Sequence, residues 1–442
     1  MPADATTAIE MVFRLEFPRL VAGLARQVGD LSLAEDLAQD ALVAALAQWP
    51  RDGTPRNPGA WLMTVGKRKA LDRFRRDRTL AAKYAQLGVG LDEAQTTDVT
   101  YDAIGDDRLR LIFVACHPLL STPARTALTL RLVGGLSTAE IARAYVENEP
   151  TVAQRIVRAK RSIATAGVPF AVPEGVELVE RLGSVLEVIY VIFNEGYAAT
   201  SGRDWTRPDL CHEALRLGRL LSHLMPDFAE VHGLLALMEL QASRLAARIG
   251  PAGEPILLAD QDRRRWDRLH IHRGLLTLAK AEDLALDPGP YTIQAALAAC
   301  HARAARVEDT NWSRIVELYD RLAALTPSPI VELNRAVAVG MAAGPADGLA
   351  LVDEIAATGL LNRYHLLHSV RGDLLARLGR HGEAAIAFGQ AAALAHNEIE
   401  QDLCQRRAAT SARLAAGDQP LTSPIPSSRK EENEHGNGQK DG

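Results

Sequence analysis

The sequence predicts an all-α protein, and three observations carry that prediction. Apolar residues fill 47% of the 442 positions, with Ala and Leu abundant and aromatic residues at only 5%. That balance favours helix over sheet. Apolar positions recur with helical period through most of the chain, and Pro and Gly gather at a few discrete breaks. A chain of this length is expected to form two or three domains with a large core. No apolar run reaches the length of a membrane span, and the N-terminal "MPADATTAIEMVF" lacks a secretory pattern, so a cytoplasmic protein without a membrane partner is expected.

The breaks define the blocks. Residues 8–85 read as helix, interrupted by "WPRDGTPRNPG" (49–59), which reads as a loop. Residues 86–105 contain no basic residue and four acids, Asp92, Glu93, Asp98 and Asp102, and form an acidic linker. Residues 106–167 are again helical and end basic. After "GVPFAVPEG" (167–175) an Ala/Leu-rich helical region covers 176–415, and the polar residues 416–442 read as a disordered tail.

Cys116, Cys211, Cys300 and Cys404 are far apart and form no CxxC pair, as suits a reducing compartment. Three are followed by His (His117, His212, His301). Adjacent helical residues point about 100° apart and make a poor chelate, so no metal and no cofactor are expected.

Charge is distributed unevenly. The whole chain has net charge −5, yet seven of the twelve residues from Lys67 to Arg78 are basic. On a helical wheel Arg68, Lys69, Arg73, Arg75 and Arg76 span an arc of about 160°, opposite Met63, Ala70, Leu71 and Phe74. Such a helix packs by one face and presents a positive stripe by the other, softened by Asp72 and Asp77. A solvated face and a polyanion-binding face both fit this run. Trp61 begins an apolar cluster with Leu62 and Val65 and reads as core.

A second basic element is more specific. In "STAEIARAYVENEPTVAQRIVRAKR" (137–161), Ser137 and Glu140 form a capping box that starts a helix. Asn148-Glu149-Pro150 interrupts it and starts another. In the second helix Val152, Ile156, Ala159 and Ile163 share one face, and Thr151, Gln154, Arg155 and Arg158 share the other. Two short helices around a tight turn, with an exposed arginine face, describe a helix-turn-helix. Arg and Gln on such a face can read base edges, and Lys160 and Arg161 can meet phosphates.

Two basic helical elements separated by an acidic linker resemble the sigma-70 superfamily, in its short extracytoplasmic-function (ECF) group. The resemblance spans about the first 165 residues. "LSLAEDLAQDALVAAL" (31–46) is similar to the motif that grips the clamp helices of the β′ subunit of core RNA polymerase, which implies docking through Asp36, Gln39 and Asp40. "NPGAWLMTVGKRKALDRFRR" is similar to the segment that holds the melted −10 element. This implies DNA contacts from Arg56, Asn57, Lys67, Arg68, Lys69, Arg73, Arg75 and Arg76. Arg68 departs from the Asn common in relatives, so base preference does not carry over at that position. The 106–167 block resembles the −35-reading domain, with Thr151, Gln154, Arg155, Arg158, Lys160 and Arg161 on the promoter. Its turn departs from the pattern at Val146 and Glu147, where Gly and an aliphatic residue are common.

The C-terminal region exceeds a minimal ECF factor. "RGDLLARLGRHGEAAIAFGQAAALA" (371–395) resembles a tetratricopeptide repeat, with a weaker copy at 334–357, offset by about the 34-residue repeat length. A superhelical domain that regulates activity or recruits a protein partner is implied. Two denser segments, 188–211 and 257–274, suggest Asn194, Glu195, Tyr197, Asp260 and Trp266 as a regulatory surface, although plain interhelical packing fits them too. Rival readings are a stand-alone helix-turn-helix regulator with a tetratricopeptide interaction domain, a scaffold that has lost DNA function, and an enzyme. The last lacks a nucleophile, metal cluster or phosphate loop beside its carboxylates.

Overall fold

Local caps and apolar period turn the predicted blocks into helices, and the only extended pairing among the described residues is one isolated bridge, Ile249 to Pro255. The computed structural model describes residues 16–76, 101–145, 147–198, 206–251, 254–395 and 397–417. The N-terminal unit consists of helical residues 16–28 (α1), α2 (Leu31–Asp52) and α3 (Pro58–Arg76). Gly29 takes φ +66° between α1 and α2, and the Asp30 carboxylate accepts the Leu33 amide at 2.7 Å to start α2. Asn57 Oδ1 accepts the Ala60 amide at 3.1 Å and starts α3.

Phe17, Leu24, Leu37, Leu62 and Phe74 fill the space between these helices. Trp61 is half-buried edge-on to the buried Trp49, with ring centroids 5.3 Å apart, as the core reading expected. The loop predicted for 49–59 is shorter than its composition suggested. α2 continues through Pro50 to Asp52, because the buried Trp49 anchors its last turn and accepts the Gly53 amide at 2.9 Å.

The second unit contains α4 (Tyr101–Ala115), α5 (Thr122–Leu132), α6 (Thr138–Tyr145) and α7 (Glu149–Thr165). Helix therefore begins inside the expected 86–105 linker, at Tyr101. The remainder of that linker, Val146 and tail residues 418–442 lie outside the described residues. The predicted capping box forms in both directions. Ser137 Oγ accepts the Glu140 amide at 3.1 Å, and Glu140 accepts the Ser137 amide at 2.7 Å.

Next come α8 (Gly175–Tyr197), α9 (Pro208–Leu224) and α10 (Ala229–Ala242), with short 3-10 turns leading to α11 (Arg268–Leu284) and α12 (Pro290–Arg303). The chain then runs through α13 (Trp312–Leu325), α14 (Pro329–Ala342), α15 (Pro345–Ala357), α16 (His365–Arg377), α17 (His381–Leu394) and α18 (Glu398–Ala415). From α13 onward each helix packs mainly against its neighbours in sequence, whereas α12 packs chiefly on α10. Small residues set the approach: a Cβ on Gly348 would lie 2.7 Å from the Cα of Gly340. Segments 334–357 and 371–395 each form a helical pair, α14–α15 and α16–α17.

α8 does not stand apart from the preceding unit. Its Arg181 donates to the Phe113 carbonyl at 2.9 Å, and Ser184 donates to the Cys116 carbonyl at 2.6 Å. Arg125 of α5 meets both Ser184 and Glu187. Farther along, Arg216 of α9 donates to the Val133 carbonyl at 2.9 Å, and Arg207 donates to the Ala144 carbonyl at the end of α6. The helix-turn-helix and the start of the C-terminal region thus share one apolar core. No helix among the described residues is long and apolar enough to cross a membrane.

Candidate nucleic-acid interface

α7 carries the sharpest face. Val152, Ile156, Ala159 and Ile163 are buried, and Thr151, Gln154, Arg158 and Arg161 are exposed. The division follows the helical wheel, since one apolar row must cover the core and the opposite row has nowhere to go but water. Two residues of the predicted set behave differently. Arg155 is held by Glu147 in the turn, Nη1 to Oε1 at 2.9 Å and Nη2 to Oε2 at 2.6 Å. Glu147, noted as a departure from the turn pattern, thus fixes the orientation of the guanidinium. The carboxylate occupies the Nη1–Nη2 edge, which leaves the Nε edge as a free fork for a base.

Lys160 is a correction. Its side chain is 12% exposed, and its ammonium donates to Glu35 of α2 at 2.8 Å. In this arrangement it is not available to phosphate, because α2 lies against α7 at that turn.

On the N-terminal unit, Asp36, Gln39 and Asp40 are exposed along one row of α2. The basic stripe of α3 lies beside them: Lys69 is 3.6 Å from Asp40, and Arg73 is 4.0 Å from Asp36. Exposed pairs of this kind contribute about 0–1 kcal/mol, so both partners remain free to exchange them for another ligand. Lys67 is half-buried, whereas Arg68 and Arg56 are exposed. Asn57 is also exposed, with its side chain engaged as the α3 cap. Arg75 and Arg76 are in α3, but their side chains lie outside the described residues.

The suggested regulatory surface does not hold together. Glu195 is 6% exposed and paired with Arg207, and Trp266 is 3% exposed. Trp266 packs beside the guanidinium of Arg263, 5.0 Å from the ring centroid, so both residues are internal braces. Tyr197 is half-buried under Arg248, and only Asn194 and Asp260 are exposed.

The cysteines are free and buried. Burial pushes the Cys116 thiol up to about 12, and burial lowers His301 to about 3, so these two side chains belong to the core. No cluster of metal-ligating side chains occurs among the described residues.

Sequence reasoning missed Glu35. It lies on the apolar row Leu31, Ala34, Ala38, where an acid requires a cation partner. Burial opposes its charge, yet Arg131 at 2.6 Å and Lys160 outweigh that and hold the carboxyl below its ordinary range. The register was readable in the sequence; the identity of its partners, 96 and 125 residues away, was not.

These surfaces correspond to known families. The sigma-70 region 2 model matches residues 12–79 and the sigma-70 region 4 model matches 110–163. Residues 181–282 match a family of unknown function, DUF6596. Over 87% of this chain and 91% of its own length, an uncharacterised protein of Rhizobium meliloti is 46% identical. The ECF RNA polymerase sigma factor SigK of Mycobacterium ulcerans is 28% identical over 35% of this chain and 83% of its own length. BldN of Streptomyces coelicolor, also an ECF sigma factor, is 29% identical over 31% of this chain and 52% of its own length. Sigma factors of this kind bind core RNA polymerase and promoter DNA and are initiation factors rather than enzymes. The chain belongs to the ECF group of the sigma-70 family and is an alternative sigma factor that directs transcription initiation.

Proposed function

We propose a division of labour along the chain. Acting in the cytoplasm, α2 docks on the β′ clamp helices of core polymerase through Asp36, Gln39 and Asp40. The stripe of α3, with Arg56 and Asn57 before it, holds the −10 strand as it leaves the duplex. α7 reads the −35 element with Thr151, Gln154, Arg155 and Arg158, and Arg161 meets phosphate. The C-terminal helices regulate this activity or recruit a protein partner.

The observation that carries the reading is the segregation on α7: four buried apolar residues on one side, and Thr151, Gln154, Arg158 and Arg161 exposed on the other. Helix α3 adds the second requirement, a cationic face suited to a separated strand, where backbone charge supplies affinity.

The test is a charge reversal on α2. Asp36→Arg with Asp40→Arg is expected to weaken core binding by roughly tenfold or more, the effect of about 1.4 kcal/mol, because each interfacial carboxylate would meet its partner with the wrong sign. Both residues are exposed and lose only surface pairs with Arg73 and Lys69, so the melting temperature should fall by no more than a few degrees. Unaltered co-elution of the double variant with core polymerase would place the docking face elsewhere.

A further inference from the structure

We propose that Arg207, at the N-cap of α9, is a positioning residue for promoter reading: from outside the helix-turn-helix it caps α6, and through the turn it sets the base preference of Arg155. The inference deepens the reading of α7 proposed above and rests on it.

The need for such a residue begins in the turn. α6 has only eight residues, and a helix leaves its last carbonyls without partners inside itself. Glycine is the residue that most often closes a helix C-terminus. The pattern of the family has it at position 146, where this chain has Val146. The turn's own sequence therefore favours the closure of α6 weakly.

The corner between α8 and α9 supplies what the turn does not. Arg207 donates to the Ala144 carbonyl in the last turn of α6, and to the Glu195 carboxylate of α8. The two side chains are 11% and 7% exposed. A guanidinium here satisfies a terminal carbonyl and meets the negative end of the helix dipole. Close packing fixes its place. The Arg207 amide donates to the Gly196 carbonyl at 2.7 Å, and a Cβ on Gly196 would lie 2.6 Å from the Cys211 amide nitrogen.

Glu147 joins this cap to the reading face. Its amide donates to the Ala142 carbonyl at 2.9 Å and closes α6, while its carboxylate holds the Arg155 guanidinium at 2.6 and 2.9 Å. Burial raises the Tyr145 hydroxyl above its ordinary range, and the charged groups around it are Glu195, Arg207 and Glu147. The buried pair and the turn thus form one cluster. If α6 frays, Glu147 moves with it and Arg155 is free to rotate.

Arg216 provides the contrast. It also reaches across from α9, donating to the Val133 carbonyl at the end of α5. That end has its own glycines, Gly134 and Gly135, and Gly135 takes φ +73°. Both arginines lie in the segment of unknown function, and only Arg207 serves an end without glycine.

The test uses the full chain with core polymerase, on a promoter to which it directs initiation, and measures occupancy across all single-base variants of the −35 element. Glu195→Gln with Arg207→Gln removes the cap and leaves no buried charge unpaired. Preference at the base pair that Glu147→Gln also relaxes is expected to fall about fivefold or more, with the other pairs unmoved. Adding Val146→Gly should restore it, because glycine gives α6 a cap of its own. Arg216→Gln should leave that pair unmoved. Unchanged preference in the folded double variant, no restoration by Val146→Gly, or equal relaxation by Arg216→Gln would overturn the proposal and leave Arg207 a structural brace. Should the double variant fail to fold, Arg207→Lys decides. It keeps the charge and loses the planar fork, so the preference should fall severalfold, and an unchanged preference would overturn the proposal. If the unaltered chain shows no preference at any −35 pair, or its preferences ignore Arg155→Ala, the reading of α7 fails first and this proposal with it.

Discussion

A chain ended after residue 172, which keeps both promoter-binding units, is expected to lose transcription and to aggregate. The cut removes Arg181 and Ser184 from the carbonyls of Phe113 and Cys116, and removes the whole of α8 from beneath α4 and α5. Leu182, Val185, Leu186, Ile189, Ile192 and Phe193 are all buried on that helix. Each such side chain contributes about 1.5–3 kcal/mol. Even if half of them face the helix-turn-helix unit, the loss is about 5 kcal/mol, comparable to the whole stability of a small domain. Size-exclusion chromatography and thermal melting of the truncated chain check this. A monomer that melts cooperatively and supports transcription would show that the C-terminal helices are an accessory.

Replacing Arg155 and Arg158 together by Ala is expected to abolish transcription from the cognate promoter while core binding is retained. A well-placed arginine fork is worth about 1–3 kcal/mol of base discrimination. Two of them imply a loss of roughly 30-fold or more in promoter occupancy. Glu147→Gln is a finer probe of the same face: without the carboxylate Arg155 keeps its charge and loses its orientation, so selectivity at one base pair should relax while general DNA affinity holds or rises. Footprinting across a set of single-base promoter variants reads both effects. Loss of core binding in the arginine double variant would break the separation between docking and reading.

Much of this was legible in the sequence because it is local. The Ser137–Glu140 capping box, the apolar row Val152, Ile156, Ala159, Ile163 and the Lys67–Arg76 stripe depend only on neighbours within two turns. The loop at 49–59 was misjudged for a tertiary reason, since the buried Trp49 pulls Pro50 into the helix despite its lost hydrogen bond. Trp266 and Glu195 were misplaced because aromatic and charged residues in one segment fit a surface and a buried brace equally well; only Arg207 and Arg263 decide between them. Lys160 was read as a phosphate contact flanking the exposed row, although the wheel sets it beside the buried one, and its actual partner comes from another unit. Long-range pairing is where one sequence falls silent, and Glu35, Arg131 and Lys160 are such a set.

Mapping transcript 5′ ends made by core polymerase on sheared genomic DNA, with and without the full chain, tests the central claim most directly. The account predicts discrete new start sites that appear only with the chain, each preceded by two short sequence elements at constant spacing. No new start sites, from a preparation in which the chain co-elutes with polymerase or binds duplex DNA tightly by itself, would contradict it.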